Sequence, residues 1–271
     1  MRIIGLDALL HPEGETTLTN STSAAQTVGR AVLLLRLVAS SQSRNLRLID
    51  IAEMAALDKS TAHRLLQRLV QERMLVRDAG QRGYRLGPLL HELGLAALPE
   101  SNLRDVSEPA LRHLAQTTDD MAFLLIRSGL DTVCLNRIAG NFEIQTMTRN
   151  VGDRHPLGVG AGGLALLAGL GDSEVSLVIR EIAAQLRRYH LTPESLLERV
   201  RQTRERNFAL DEGTAALDIT ALGKAIRDRT GTPMAAVFVA SISNRMGESR
   251  KRQVLKSLAE CVATIESALS R

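Results

Sequence analysis

The amino-acid sequence predicts an α+β protein with an N-terminal winged helix-turn-helix, a helical connector and a larger C-terminal domain with a mainly antiparallel sheet. Three observations lead to this class. Within residues 26–86, apolar residues recur at helical spacing in three stretches, and two short β-prone segments follow them. Beyond residue 101, helical patterns alternate with apolar strands whose connections are mostly too short for parallel crossovers. The charge is uneven as well, because residues 30–85 carry a net +6 and the rest of the chain carries −2.

The N-terminal part begins with residues 1–24, which are rich in Thr, Ser, Gly and Glu without a sustained hydrophobic period, and this predicts a flexible tail. Helices are predicted at residues 26–39, 49–55 and 59–73. The third helix has an apolar stripe at i, i+3, i+4, i+7 and i+8 from Ala62, with polar residues on the opposite face. Asp58 precedes this helix in the position of an N-cap, where a carboxylate accepts the first backbone amides.

A hairpin is predicted after the third helix. Residues 75–77 and 84–86 are β-prone, and the loop between them contains two glycines. Three helices and a basic hairpin within about sixty residues predict a winged helix-turn-helix at residues 25–88. An apolar segment then predicts a connector helix at residues 89–101, which is apolar on too many sides to remain exposed.

The remaining residues, 102–271, predict a separate α+β domain. Strands are expected at residues 121–127, 132–138, 142–149, 217–226 and 235–242. Helices are expected at residues 106–116 and 158–170, after the cap signals at Asp172 and Thr192-Pro193, and at the end of the chain. The Asp119–Asp120 and Asp211–Glu212 pairs are expected to lie in loops.

Composition excludes several classes of function. Aromatic residues make up only 2%, which argues against a stacking platform for single-stranded nucleic acid. Cys134 and Cys261 are isolated and the histidines lack ligand spacing, so we expect no disulfide framework, no metal site and no cofactor. The chain has neither a run of about 18 apolar residues nor a secretory signal, so we expect a cytoplasmic protein without membrane contact.

The third helix has the pattern of a recognition helix for double-stranded DNA. Small residues at its start allow the backbone to approach a phosphate, and longer donors one and two turns later reach base edges in the major groove. The residues predicted to contact DNA are Lys59, Ser60, Thr61, His63, Arg64, Gln67 and Arg68, with Arg82 and Tyr84 on the wing. The alternative is an ordinary amphipathic surface helix, which the adjoining turn, second helix and hairpin disfavour.

A glycine-rich segment at residues 158–163 formally matches the G-x-G-x-x-G fingerprint of dinucleotide-binding proteins. The match lacks the βαβ context, and Pro156 is a poor end for a central strand. A glycine run that opens a helix would instead present backbone amides to a carboxylate. The chain carries no G-x-S-x-G or other nucleophile motif, so we do not expect an enzyme.

Several motifs resemble those of the IclR family of bacterial transcription regulators. Residues 59–66 (KSTAHRLL) and 83–87 (GYRLG) are similar to the family's K-S-T-x-x-R-L-L and Y-x-L-G, and residues 152–157 resemble G-x-R-x-P-L. The resemblance extends from about Val28 to Ile265. It implies a dimer or a dimer of dimers, and a GAF-like C-terminal domain that binds a small organic acid and alters operator affinity.

The resemblance also implies an effector pocket. Its lining would comprise Ile144, Met147, Ala161, Gly162, Asp211, Ala221, Phe238 and Ala240. Gly160, Ala221 and Ala240 stand where the family commonly has hydroxyl or thiol side chains, and losing such groups lowers affinity for small hydroxy or keto acids. The pocket is therefore expected to take a more apolar effector, such as an aromatic or alkyl acid, or to have lost its ligand.

The sequence as a whole is interpreted as a DNA-binding transcriptional regulator, a repressor on family grounds. Its expected partners are operator DNA, a small organic acid and further copies of the chain as a homodimer or tetramer. One alternative is an enzyme that acts on a small organic acid and uses the winged helix as an accessory module. Another is a winged helix used only for protein contacts.

Overall fold

The computed structural model describes residues 23–40, 46–78, 83–97, 103–141 and 149–270. The chain divides into two compact units, Met1–Pro99 and Glu100–Arg271. The predicted flexible tail falls on residues 1–24, of which residues 1–22 lie outside the described residues and residues 23–24 already belong to the first helix.

The N-terminal unit contains helices and a small sheet in the order of a winged helix. Its elements are α1 (Ser23–Ser40), β1 (Leu46–Arg47), α2 (Leu48–Met54), α3 (Lys59–Gln71), β2 (Leu75–Arg77), β3 (Gly83–Leu86) and α4 (Pro88–Ala97). The strands form an antiparallel sheet in the order β1-β3-β2. Apolar side chains from α1, α2, α3 and the strands share one buried cluster, which includes Leu34, Ile51, Leu66 and Leu75.

Local interactions determine where α3 begins. Asp58 is the N-cap, and its carboxylate accepts hydrogen bonds from the Thr61 amide at 2.8 Å and the Ser60 hydroxyl at 2.6 Å. The turn before it passes through Ala56, whose φ of 49° lies in the left-handed region that favours glycine. The helix-turn-helix thus forms despite a residue that disfavours this turn.

The C-terminal unit is built on a six-stranded sheet in the order β6-β5-β4-β9-β8-β7, in which every neighbouring pair is antiparallel. Its strands are β4 (Met121–Ser128), β5 (Asp131–Ile138), β6 (Arg154–Pro156), β7 (Ala209–Glu212), β8 (Ile219–Arg227) and β9 (Pro233–Ile242). The predicted antiparallel sheet is therefore confirmed. It also removes the parallel βαβ context that a dinucleotide-binding fingerprint requires.

Helices cover both faces of this sheet. On one face lie α5 (Leu103–Thr118) and α10 (Glu248–Leu269). On the other lie α6 (Gly160–Ala168), α7 (Asp172–Glu181), α8 (Ala183–Leu186) and α9 (Pro193–Arg206). Because side chains alternate along a strand, Phe238 and Ala240 of β9 face α6, whereas Val237 and Val239 face α10.

Most predicted elements are present with small shifts of their ends, and Thr192 caps α9 with Pro193 at its first position. Asp211 and Glu212, predicted as a loop, instead end β7. This strand has only four residues and pairs on one side alone, with β8, so it has little hydrophobic pattern to reveal it. The predicted strand at residues 142–149 lies outside the described residues except for Arg149, which is not in a strand.

Candidate functional sites

The outward face of α3 is polar and accessible. Lys59, Ser60, Arg64, Gln67 and Arg68 are exposed, whereas Ala62, Leu66 and Leu69 are buried on the opposite face. Thr61 and His63 are half-buried, and Arg82 lies outside the described residues. This arrangement leaves long hydrogen-bond donors on one side of the helix, as contact with a major groove requires.

Ion pairs distinguish the donors on this face. Arg68 is paired with Glu72 one turn later. The side chains of Arg64 and Gln67 make no hydrogen bond to any described residue, so both can turn toward a ligand. At the start of the helix, bonds from Ser60 and Thr61 lower the pKa of Asp58, which keeps this carboxylate ionised and the cap intact.

Tyr84 does not fit its predicted role as a DNA contact. Its side chain is only 5% exposed and belongs to the buried cluster of the N-terminal unit. It lies in the middle strand of the small sheet, opposite Leu46 of β1 and Arg77 of β2. The ring therefore contributes to packing, and its burial argues against the predicted DNA contact.

A cavity of about 50 Å³ lies in the C-terminal unit, at the start of α6. It is lined by Arg149, His155, Gly160, Ala161, Asp211, Ala215, Ala216, Ile219, Ala221 and Phe238. At about 10–15 Å³ for each water molecule, the cavity holds roughly three to five waters. In this form it admits a ligand of a few heavy atoms.

Four of the predicted effector residues meet at this cavity: Ala161, Asp211, Ala221 and Phe238. Gly162 and Ala240 are not part of its lining, although Ala240 is paired directly with Ala221 across β8 and β9. A side chain at Gly162 would approach Leu125 and Phe238, within 2.6 Å and 2.9 Å of its Cβ, so glycine lets α6 lie close to the sheet. Ile144 and Met147 lie outside the described residues.

Arg149 places a buried positive charge at the cavity. Arg149 is only 8% exposed, and its Nη2 atom forms no hydrogen bond with any described residue. The guanidinium carbon lies 5.7 Å from the centre of the Phe238 ring, which in turn stacks on Phe123 at 4.5 Å. Burial lowers the pKa of Arg149 from its ordinary value, and contact with the ring face offsets part of that cost.

His155 is the second polar group of the lining that lacks a partner. Its Nδ1 atom is buried and bonds to no described residue, and its ring lies 5.8 Å from that of Tyr189. Burial, and then the nearby charge of Arg149, hold the pKa of His155 well below its ordinary value of 6.5. The imidazole is therefore neutral at physiological pH, with one nitrogen able to donate and one able to accept.

The carboxylate of Asp211 is already paired with groups of the protein. It accepts a 2.6 Å bond from Arg199 of α9 and a 3.2 Å bond from the Ala215 amide. Arg199 also donates to the Thr214 hydroxyl at 2.8 Å. This ion pair thus holds the loop 213–218, hereafter the cavity loop, against the cavity, and it neutralises the Asp211 charge.

Sequence reasoning did not identify Arg149, His155, Ala215, Ala216 or Ile219 as lining residues. Arg149 lies outside the motifs and His155 occupies a variable position of the G-x-R-x-P-L segment, so nothing in the sequence around them signals burial without a partner. Gly160 could be noticed in the sequence, because it belongs to the glycine run that opens the predicted helix. Its φ of 72° explains why glycine suits this position, and a Cβ added there would lie only 3.3 Å from the Ala215 Cβ.

Comparison with known families identifies both units. The family described as "IclR helix-turn-helix domain" matches residues 27–79, and that described as "Bacterial transcriptional regulator IclR C-terminal" matches residues 95–267. The chain belongs to the IclR family of bacterial transcription regulators. The resemblance stated from the sequence motifs is thereby confirmed.

Curated relatives in the family span most of this chain. The transcriptional repressor IclR of Escherichia coli is 26% identical over 235 residues, which cover 85% of each protein. The acetate operon repressor of Salmonella typhimurium is 25% identical over 234 residues, which cover 84% of each. These IclR-family relatives are regulators, and both are named as repressors.

Solved structures agree with the fold. An IclR regulator from Alicyclobacillus acidocaldarius has a TM-score of 0.73 at 22% identity and covers 90% of this chain and 98% of its own. An IclR homologue from Microbacterium hydrocarbonoxydans, solved in complex with 4-hydroxybenzoate, has a TM-score of 0.72 at 25% identity and covers 90% of this chain and 99% of its own. None of the helices in the described ranges combines the length and apolar character needed to cross a membrane.

Proposed function

We propose that this IclR-family chain is a DNA-binding transcriptional repressor whose operator affinity changes when a small organic acid occupies the cavity of the C-terminal unit. The observation that carries the ligand part is the buried cation at the cavity, since Arg149 Nη2 has no partner among the described residues. An anion entering the cavity would supply the partner that a buried charge requires. The repressor names of the relatives support the direction of regulation.

DNA binding is assigned to residues 25–88 and effector binding to residues 102–271, with residues 89–101 connecting them. On α3, we propose that Gln67 and His63 contact base edges. Phosphates would be contacted by the other residues of the helix predicted to bind DNA, Lys59, Ser60, Thr61, Arg64 and Arg68. The exposed face of α3 supports this assignment. Arg82 is proposed to add a wing contact, and Tyr84 is no longer included.

The proposed effector is an aromatic or alkyl carboxylic acid. Apart from Arg149, His155 and Asp211, the lining residues are glycine, alanine, isoleucine and phenylalanine, so the body of the ligand meets an apolar surface. The structure of the Microbacterium homologue with 4-hydroxybenzoate gives a precedent for an aromatic acid in a relative. A ring would require the cavity loop to move outward, because the present cavity holds only a few heavy atoms.

We further propose a cytoplasmic homodimer or tetramer. Large apolar side chains are exposed on α1, where Val28 is 64% and Val32 41% exposed, and on α4, where Leu93 is 50% exposed. A second copy of the chain would cover such surfaces, as in symmetric oligomers. We propose no catalytic activity, since the relatives are regulators and the described lining contains no serine, threonine, cysteine or lysine.

Fluorescence anisotropy with duplex DNA from the region flanking the protein's own gene tests this function. We expect saturable binding that weakens steeply with salt, as phosphate contacts require, and that changes when benzoate, 4-hydroxybenzoate, propionate or pyruvate is added. The Arg64→Ala variant serves as the control for use of α3. Absent or salt-insensitive DNA binding would favour the reading as a protein-contact module, and turnover of an added acid would favour an enzyme.

A further inference from the structure

Resting on the proposed function, we infer that Arg149 anchors the carboxylate of the effector, so that the cavity selects a monoanion over an uncharged molecule of the same shape. This inference names the residue that decides ligand charge. It also adds a side chain to the sequence-based expectation, in which backbone amides at the start of α6 bind the carboxylate.

Arg149 differs from other partly or fully buried arginines of the C-terminal unit. Arg154 donates to Asp131 at 2.9 Å, Arg199 donates to Asp211 at 2.6 Å, and Arg204 donates to Asp172 at 2.6 Å. Each of these three therefore has a carboxylate partner. Arg149 is 8% exposed and has no ion pair with a described carboxylate, which is a costly arrangement unless a ligand completes it.

Among the described residues, the charges around the cavity leave one positive charge to be matched. Asp211 is neutralised by Arg199, and His155 is held in its neutral form. Asp153 interacts with Arg149 from a distance, but its carboxylate accepts a 2.6 Å bond from the Asn150 amide instead. A ligand with a single carboxylate would balance the site, whereas a neutral ligand would leave the cation unpaired.

The lining offers a charged contact and an apolar contact for such a ligand. Arg149 lies over the face of Phe238, and its Nη2 atom, which has no partner among the described residues, is available to a carboxylate. Gly160 and Ala161, the first residues of α6, line the cavity too, and the positive end of this nine-residue helix adds to the anion preference. Ala221 and Ile219 would contact the apolar body.

Thermal shift and calorimetric titration of the full-length protein with matched acid and amide pairs test the inference. The probes are benzoate against benzamide and propionate against propionamide. We expect the acids, and not the amides, to raise the melting temperature of the wild-type protein. Replacement Arg149→Met should weaken acid binding about tenfold or more, because charged hydrogen bonds are lost.

A second readout separates ligand binding from a structural role. Without ligand, the Arg149→Met variant should melt at the wild-type temperature or above it, because an unpaired buried charge has been replaced by an apolar side chain. Arg149→Lys should retain part of the acid affinity, since it keeps the charge without the planar fork. Arg180→Met is the matched control, because Arg180 is an exposed arginine of α7 whose side chain is 72% exposed and should not affect either readout.

Each other outcome contradicts a defined part of the argument. Equal binding of acids and amides, or undiminished acid binding by Arg149→Met, overturns the role of Arg149 while leaving an effector site in place. A lower melting temperature of ligand-free Arg149→Met shows that the arginine is structural. If none of the four probes binds the wild-type protein, the inference fails together with the effector part of the proposed function, although salt-dependent DNA binding would still support the DNA-binding part.

Discussion

The ion pair between Arg199 and Asp211 should control both the stability of the C-terminal unit and the shape of the cavity. The side chain of Asp211 is 4% exposed and that of Arg199 is 18% exposed. Breaking a buried pair by removing one partner costs about 3–5 kcal/mol. Arg199 would keep its bonds to Thr214 and to the Leu210 carbonyl and some contact with water, so we expect Asp211→Ala to cost about 3 kcal/mol.

This magnitude is measurable by heat denaturation. For a domain of this size, each 1 kcal/mol shifts the melting temperature by about 2–4 °C, so Asp211→Ala should lower it by about 6–12 °C. The same variant frees the Ala215 amide and therefore loosens the cavity loop, so acid affinity should fall as well. Arg201→Ala is the control, because Arg201 pairs with Glu198 on the same helix at 2.7 Å but is 65% exposed, and such surface pairs contribute about 0–1 kcal/mol.

A double-mutant cycle decides whether the pair acts as a unit. Combining Asp211→Leu with Arg199→Met removes both charges, so the double variant should be less destabilised than the sum of the two single variants by about 1–3 kcal/mol. Strictly additive losses would refute the reasoning. Unchanged acid affinity in a folded Asp211→Ala protein would refute the role given to the cavity loop.

Other variants test the DNA-binding unit and the pH response. In anisotropy titrations across operator variants and salt concentrations, Gln67→Ala should lose about 1–3 kcal/mol of base discrimination, while Arg64→Ala should weaken binding to every sequence and reduce the salt slope by roughly one; unchanged affinity in both would show that α3 does not enter the groove. Tyr84→Ala should destabilise the N-terminal unit by about 3–5 kcal/mol, because its ring is buried, whereas Tyr84→Phe should bind DNA as the wild type does; weaker DNA binding by a fully stable Tyr84→Phe protein would restore a contact role. The pKa of His155 is depressed in the folded state, so below its ordinary value of 6.5 the unfolded chain binds a proton that the folded chain does not, and stability should fall as pH is lowered from about 7 to 5. Melting temperatures measured across this range should fall less steeply for His155→Phe, and an equal slope in both proteins would contradict the assignment.

The fold class and the amphipathic helix α3 could be predicted from sequence because the signals are local. The apolar stripe of α3 needs only residues three and four positions apart, and Asp58 bonds to residues two and three positions away. The same holds for Thr192 and Ser195 at the start of α9, which bond to one another across three residues. Such contacts exist whatever the rest of the chain does, so the pattern along the chain is sufficient.

The cavity, by contrast, is decided by contacts between distant parts of the chain. Tyr84 carries a polar hydroxyl, so its sequence context is compatible with an exposed position. The side chain is buried in a strand, β3, that pairs with β1 on one side and β2 on the other. The pairing of β7 with β8 makes Asp211 part of a strand and brings it to Arg199, and stacking over Phe238 brings Arg149 to the cavity. Whether a charged side chain is buried, and whether it meets an opposite charge there, depends on which elements pack together. The sequence therefore determined α3 and the sheet, while the tertiary structure decided which buried cation has no carboxylate partner among the described residues.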